Sequence, residues 1–343
     1  MRHISLVLVG FGNVGQAFGR LLLRKQSYVE HNFDFSYKIT GIATSRHGIA
    51  IDPTGINVEK ALEIAASGGT LSALTHRSGS TTIAEFIQQC PGDVFFENTP
   101  VNHHTGEPAL SYLKAALERN MTIITANKGP VVFGYRELTA IARSRHRRFL
   151  FESAVMDGAP IFSLFRGPLP AIEIKGFFGI LNSCTNYILG CMESGDSLEE
   201  AIQKGQAIGI TETDPSADID GWDAAIKVAA LSSVILDKPL TPEQVNPTGI
   251  RGLTKADLAE ASQQGKRWKL VCRARLTEDG VETQVAPELV ASDSPLYAIN
   301  GTSSFIQFES DVLPGLGIVE TNPGPETTAY GLLADLINAM RNQ

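Results

Sequence analysis

No segment of this sequence approaches the ~18 uncharged apolar residues that a membrane-crossing helix needs, so no membrane partner is expected. The N-terminal MRHISLVLVGFG holds an apolar stretch without a small-residue cleavage site and runs straight into a glycine turn. It reads as a strand. Clustered positive charge is scarce too: 29 Lys and Arg stand against 37 Asp and Glu, a formal net charge of −8. Nucleic-acid wrapping relies on clustered cations that displace counterions, so no nucleic-acid partner is expected. The one dense basic cluster, Arg143, Arg145, Arg147 and Arg148, reads as a solvated helix end. Cysteine is sparse, and Cys90, Cys184, Cys191 and Cys272 show neither metal-ligand spacing nor a disulfide framework. A reducing, cytoplasmic compartment is the expectation. Internal repeats and low-complexity segments are missing as well.

What is present is ordinary for a globular chain, with 43% hydrophobic and 19% charged residues. Its 343 residues exceed one small core and read as two domains. Up to Phe151, strand-like runs such as ISLVLVG, YKITGIATS, GDVFFENT and MTIITANKG alternate with helical patterns such as VGQAFGRLLLRK and LSYLKAALERN. That alternation predicts βαβ units on a doubly wound parallel sheet, an α/β Rossmann-type domain over residues 1–151. Beyond it, AIEIKGFFGIL and VETQVAPELV alternate irregularly with SLEEAIQKGQAIG and WDAAIKVAALSSVIL, predicting an α+β domain over residues 152–305. Residues 306–343 end in ETTAYGLLADLINAM, an amphipathic helix expected to return to the first domain.

Gly10, Gly12 and Gly15 have the spacing G-x-G-x-x-G directly after an apolar strand and at the start of a helix. In that context Gly10 permits the tight turn, Gly12 lets backbone approach a pyrophosphate, and Gly15 lets helix and strand pack closely. The turn as a whole, with Phe11, Asn13 and Val14, and Thr99 after the strand GDVFFENT, are candidate cofactor contacts. The second strand ends in GIATSRHG, with no carboxylate to repel a 2′-phosphate and with Arg46 able to pair with one. NADPH is favoured over NADH.

Two lysines stand out. Lys128 in TANKGP follows a strand, at the end of a parallel sheet where ligands bind. Lys227 lies four residues after Asp223 on a predicted helix, so the two share a face and can pair. Glu212, Asp214, Asp218 and Asp220 crowd in just before them. Solvated helix-capping carboxylates would explain the cluster, but the helix beyond Lys227 is nearly all apolar, and a lysine at the start of a buried helix is seldom idle.

Taken in order, VGFGNVG, TANKGP, FESAVMDGAPI, GILNSCTNYIL, TETDPSADIDGWDAAIK and TAYGLLADL resemble the homoserine dehydrogenase family over nearly the whole chain. The resemblance implies NAD(P)H-dependent reduction of L-aspartate 4-semialdehyde to L-homoserine, on the route to threonine, methionine and isoleucine. It makes Lys128 and Lys227 the active-site lysines, Glu212 the carboxylate for the substrate amino group, and Asp218 and Asp223 further active-site aspartates. It implies a Na+ or K+ site at which Glu152 offers a carboxylate or carbonyl and Val155, Asp157 and Ala159 offer backbone carbonyl oxygens, a donor set that suits a hard cation. It also implies a homodimer formed through the second domain's sheet. The chain departs from the family pattern at Met156 and Asp157, where small residues are usual, at Ser183 and Cys184, where Gly-Thr is usual, and in the shorter NPGPETTAYG loop. Cys184 reads as a small packed residue. Neither an aspartate kinase module nor a C-terminal ACT domain is expected. On this reading hydride moves to the aldehyde carbon, Lys227 or a water it holds supplies the proton, and Lys128 stabilises the alkoxide, although sequence leaves open which lysine is the acid. Two rival readings are an oxidoreductase of another amino-acid semialdehyde and a non-catalytic NAD(P) sensor.

Overall fold

The computed structural model describes residues 1–76 and 81–341. It divides into one unit of Met1–Pro160 with Gly324–Gln343 and a second of Ile161–Pro323.

In the first unit, RHISLVLV forms β1 (Arg2–Val9), whose last four residues are all buried, as a central strand covered on both faces requires. The others are β2 (Phe35–Thr44), β3 (Gly48–Ile51), β4 (Val94–Glu97), β5 (Thr122–Thr125) and β6 (Phe149–Leu150), in the order β3-β2-β1-β4-β5-β6. β1 pairs in parallel with β2 and β4, and β5 with β4 and β6. β3 differs from the expected parallel sheet by lying antiparallel to β2. Only three residues join the two, and so short a link can only reverse the chain. The strand order changes direction between β1 and β4, the position where open α/β sheets bind ligands. Helices α1 (Asn13–Phe33), α2 (Val58–Ala66), α3 (Ile83–Gln89), α4 (Ala109–Glu118) and α5 (Lys128–Ser144) link these strands.

The second unit carries β7 (Ile174–Ile180), β8 (Lys266–Thr277), β9 (Gly280–Ala291), β10 (Ser304–Ser310) and β11 (Leu316–Glu320) in the order β11-β10-β7-β8-β9. All its pairings are antiparallel. Its helices are α6 (Phe162–Arg166), α7 (Ser183–Glu193), α8 (Leu198–Ala207), α9 (Ser216–Ile219), α10 (Trp222–Ile235), α11 (Pro242–Val245) and α12 (Lys255–Gln263). The chain then re-enters the first unit as α13 (Pro325–Arg341). The return begins at Gly324 and not at residue 306, because β10 and β11 complete the second sheet on the far side of β7.

α13 closes the first core: its Leu332 and Leu336 share one apolar cluster with Phe18 and Leu22 of α1 and Leu6 and Leu8 of β1. Polar groups fix its register. Glu152 N–H donates to Asp335 at 2.7 Å, Ser153 Oγ to Thr328 O at 2.7 Å, and Arg148 to Asn338 O at 2.7 Å.

The second unit buries a lysine. Lys269 on β8 is 1% exposed, and its ammonium donates to Asn186 Oδ1 at 2.9 Å and Ile299 O at 2.6 Å. Asn186 Nδ2 in turn donates to the carbonyls of Ile299, Gly301 and Ser303, so the pair pins the loop before β10. Burial pushes Lys269 down from 10.5 to about 8. Between those values the unfolded chain holds a proton that the folded chain has shed, so this residue's contribution to stability rises with pH from about 8 to about 10.5. Urea midpoints of wild type and Lys269→Met are therefore expected to diverge in the wild type's favour as pH climbs through that window, and parallel pH curves would refute the assignment.

Candidate active site

The glycine turn answers to two kinds of demand. Gly10 has φ +91°, and a Cβ there would stand 2.4 Å from Asn98 O; one on Gly15 would stand 2.4 Å from Gly10 O. Packing alone excludes side chains at both. Gly12 is unlike them, since a Cβ on it would meet nothing within 4 Å. It is also the N-cap of α1, and no side chain caps that helix start. The first amides of α1 thus open onto free space with the positive end of the helix dipole behind them, which suits a phosphate. Beside the turn, the Asn98 side-chain amide at the end of β4 has both its polar atoms buried without a partner among the described residues. An uncapped helix start, an open glycine and an orphaned amide fit a bound dinucleotide. Asn13 is exposed and Val14 half-buried, but Phe11 is buried with its ring beside Gly19, so only its backbone could serve a cofactor. At the end of β2, Thr44 Oγ1 accepts from the N–H groups of Arg46 and His47 at 3.0 and 2.7 Å, making a tight turn that leaves Arg46 exposed.

Lys128 is the half-buried first residue of α5. Its position rests on a polar network at the ends of β4 and β5. Glu97 is wholly buried, and its carboxyl accepts from Thr99 N–H at 2.7 Å, from the Thr99 hydroxyl, and from Thr125 Oγ1 at 2.8 Å. Burial raises its pKa against the pull of those donors. Asn127 donates to Thr99 O at 3.1 Å and accepts from Gly129 N–H at 2.9 Å, capping α5. Glu97, Asn98 and Asn127 were not among the residues singled out from the sequence; for the first two the signal was the polar run ENT at and just after the end of an otherwise apolar strand.

The expected cation turn lies in the same unit. Its carbonyls are suitable donors for a hard cation. Asp157, however, has φ +42° and turns its carboxylate to α13, where Thr327 and Thr328 donate hydroxyls at 3.1 and 2.8 Å. Its carbonyl lies 2.9 Å from where a Cβ on Gly331 would stand, Met156 O accepts from Ala159 N–H at 2.8 Å, and Glu152 and Val155 are buried. The residue that departs from the family pattern thus faces the helix, and no chemical step is assigned to a cation.

In the second unit, three of the four expected residues come together. Asp223 and Lys227, one turn apart on α10, form an ion pair of 3.0 Å with 17% and 13% of their side chains exposed. Lys227 Nζ also donates to Leu181 O at 2.6 Å. Asn182 Nδ2 donates to Asp218 at 2.6 Å and to Asp223 at 2.9 Å. Burial raises Asp218 to about 6, and the neighbouring Asp223 charge adds to the effect, while Asn182 and Lys227 oppose it. Glu212 stands apart: it is exposed, its carbonyl accepts from Gln206 at 3.1 Å, and its carboxylate makes no hydrogen bond or ion pair among the described residues. Cys184 packs with Sγ 3.2 Å from Thr211 Oγ1, and burial pushes its thiol up to about 12, which leaves it inert.

Comparison with known proteins gives the relatives of the chain as a whole. The homoserine dehydrogenase family model matches residues 160–337. An NAD(+)-dependent homoserine dehydrogenase of Pseudomonas canavaninivorans is 34% identical over 98% of this chain and 96% of its own length. The homoserine dehydrogenase of Methanocaldococcus jannaschii is also 34% identical, over 98% of each. Among solved structures, a hyperthermophilic archaeal homoserine dehydrogenase in complex with NADPH superposes with a TM-score of 0.82 at 26% identity, covering 98% of this chain and 97% of that one. One from Thiobacillus denitrificans gives 0.83 at 26% identity, covering 99% and 74%.

The raised Asp218 carries a stability consequence. Its folded pKa lies above the unfolded value of 3.8, so its contribution to stability is lost as pH rises from about 4 to about 6. Asp218→Asn, which never ionises, should therefore melt higher than wild type at pH 7.5, by roughly 2 to 4 °C for each kcal/mol relieved. The gap should close as pH is lowered towards 4.5. A variant that melts lower than wild type at pH 7.5 would contradict this.

Proposed function

The chain belongs to the homoserine dehydrogenase family, oxidoreductases of amino-acid biosynthesis, and we propose that its residues divide the reduction of L-aspartate 4-semialdehyde to L-homoserine as follows. The observation that carries the reading is the cluster of Asp218, Asp223 and Lys227 around one side-chain amide.

The backbone from Gly10 to Gly15 would hold the pyrophosphate of the cofactor, with Asn98 and Thr99 beside the turn. Bound there, the nicotinamide supplies the hydride. Arg46 would pair with a 2′-phosphate, favouring NADPH over NADH. Lys128 lends positive charge to the alkoxide that develops on the aldehyde oxygen, which is stabilisation that exists mainly in the transition state. Lys227, or a water it holds, delivers the proton to that oxygen, and Asp223 keeps the ammonium in place. Glu212 and Asp218 receive the substrate's ammonium. For Asp218 an arriving cation would also relieve the repulsion from Asp223, so part of the cost of keeping two carboxylates together is recovered on substrate binding.

A monovalent cation on the carbonyls of Glu152, Val155, Asp157 and Ala159 would be structural in this scheme. All four cysteines are free, which agrees with a cytoplasmic setting, and association of two copies through the second unit's sheet is part of the reading.

The test is NADPH oxidation with L-aspartate 4-semialdehyde, run beside NADH and beside other amino-acid semialdehydes. Lys227→Ala should lower kcat by about 10²- to 10⁴-fold with NADPH affinity retained. Arg46→Ala should lower the NADPH to NADH ratio of kcat/KM by roughly tenfold or more. Faster turnover of a different semialdehyde would sink the substrate assignment, and cofactor binding with no turnover of any would favour a sensor.

A further inference from the structure

We infer that Asn182 is a positioning residue for the reaction: its one side-chain amide holds the carboxylates of Asp218 and Asp223 together and, through Asp223, sets the position of Lys227. The inference rests on the function proposed above and assigns a role to a residue that lies in the GILNSCTNYIL motif but had been given none.

An asparagine amide has two N–H donors and two acceptor lone pairs. Asn182 uses all four. Nδ2 donates to Asp218 Oδ1 at 2.6 Å and Asp223 Oδ2 at 2.9 Å, while Oδ1 accepts from Thr185 N–H at 2.7 Å and Thr185 Oγ1 at 2.9 Å. The residue is 3% exposed, so water cannot replace a lost partner. Its orientation is also fixed. A flipped amide would set its oxygen against two carboxylates and its NH2 against the Thr185 N–H.

The surroundings give this geometry its chemical meaning. Asp218 is faced by Asp223 and Lys227 from α10 and by Asn182 and Cys184 from the start of α7. The groups that offset its repulsion from Asp223 are the Asn182 amide, close to both, the Lys227 ammonium and the Cys184 thiol, and of these only the Asn182 amide donates to both carboxylates. Asp223 Oδ2 is shared between Asn182 and Lys227. The preceding residue, Leu181, accepts from that same ammonium. Two consecutive residues at the junction of β7 and α7 thus hold a lysine by a carbonyl and two carboxylates by an amide.

Asn182 also caps α7, so the test must separate positioning from capping. The measurement is the pH profile of kcat/KM for L-aspartate 4-semialdehyde, with melting temperatures taken alongside. Asn182→Ser can still cap a helix but cannot reach the carboxylates, and Asn182→Asp can still cap but sets a third carboxylate against the two. Ser197→Ala removes the cap of the neighbouring α8, where Ser197 Oγ accepts from Glu200 N–H at 3.1 Å, and serves as the purely structural control. In wild type the acid limb is expected near the Asp218 value of about 6. Losing the amide donor disfavours the ionised carboxylate, so in Asn182→Ser that limb moves up; for a shift of about one unit the loss is ~10-fold greater at pH 5.5 than at pH 8.5. In Asn182→Asp it moves further. Ser197→Ala should melt lower with its limb unmoved. A folded Asn182 variant whose acid limb coincides with that of wild type, whether activity falls evenly across pH or not at all, overturns the inference. If Asn182→Ser does not fold, Asn182→Asp decides. Failure of wild type itself to reduce the semialdehyde would instead overturn the proposed function, and the two failures are told apart by that one control.

Discussion

A charge taken out of water must be supplied with partners of the right kind, and here those partners are the same groups that hold the chain in place. Glu97 draws the Thr99 and Thr125 hydroxyls onto itself and so ties the ends of β4 and β5 together. Asp335 takes the Glu152 N–H and binds the end of the first sheet to the last helix. Lys269 and Asn186 gather the carbonyls of a loop. Asp218 and Asp223 draw in Asn182, and Lys227 draws in Leu181 O. Remove the charge in any of these cases and the loop loses its anchor; remove the partner and the charge loses its solvation. Function and local order are two outcomes of one electrostatic requirement.

Each unit meets that requirement with a different architecture. The first uses strand ends at the point where its sheet changes direction, where backbone amides and short polar side chains converge without long loops. The second uses the junction between a strand and a helix on one side and an almost wholly buried helix on the other. Beyond Lys227, α10 carries only apolar residues and the two buried serines Ser232 and Ser233, so its charged pair, Asp223 and Lys227, sits near its start.

Much of this was legible in the sequence, for reasons specific to each element. Gly10 and Gly15 declare themselves because no side chain fits where they stand. Asp223 and Lys227 declare themselves because four residues on a helix is a fixed geometry. Asn182 could not be read, since its partners lie 36 and 41 residues along the chain and nothing local distinguishes it from any other helix cap. Glu97 was hidden for a similar reason, its meaning depending on a hydroxyl 28 residues away. The boundary at residue 306 was misplaced because β10 looks like any other strand, and only its pairing with β7 shows which sheet it joins. Asp157 had been marked by its departure from a pattern of small residues, but its attachment to threonines 170 and 171 positions later could not be.

That last attachment bears on how the protein comes into being on the ribosome. The first unit is interrupted by the whole of the second and is completed only by α13. Until that helix is synthesised, the apolar face of α1 around Phe18 and Leu22 lacks its cover, and the Asp157 carboxylate lacks its hydroxyls. The intervening unit has all its strands in hand earlier, so order of synthesis favours the inserted unit maturing first while the unit that contains the N-terminus waits. The first unit is thus closed only once α13 has been made, and a chain truncated before Gly324 would present an intact second sheet attached to an unclosed first one.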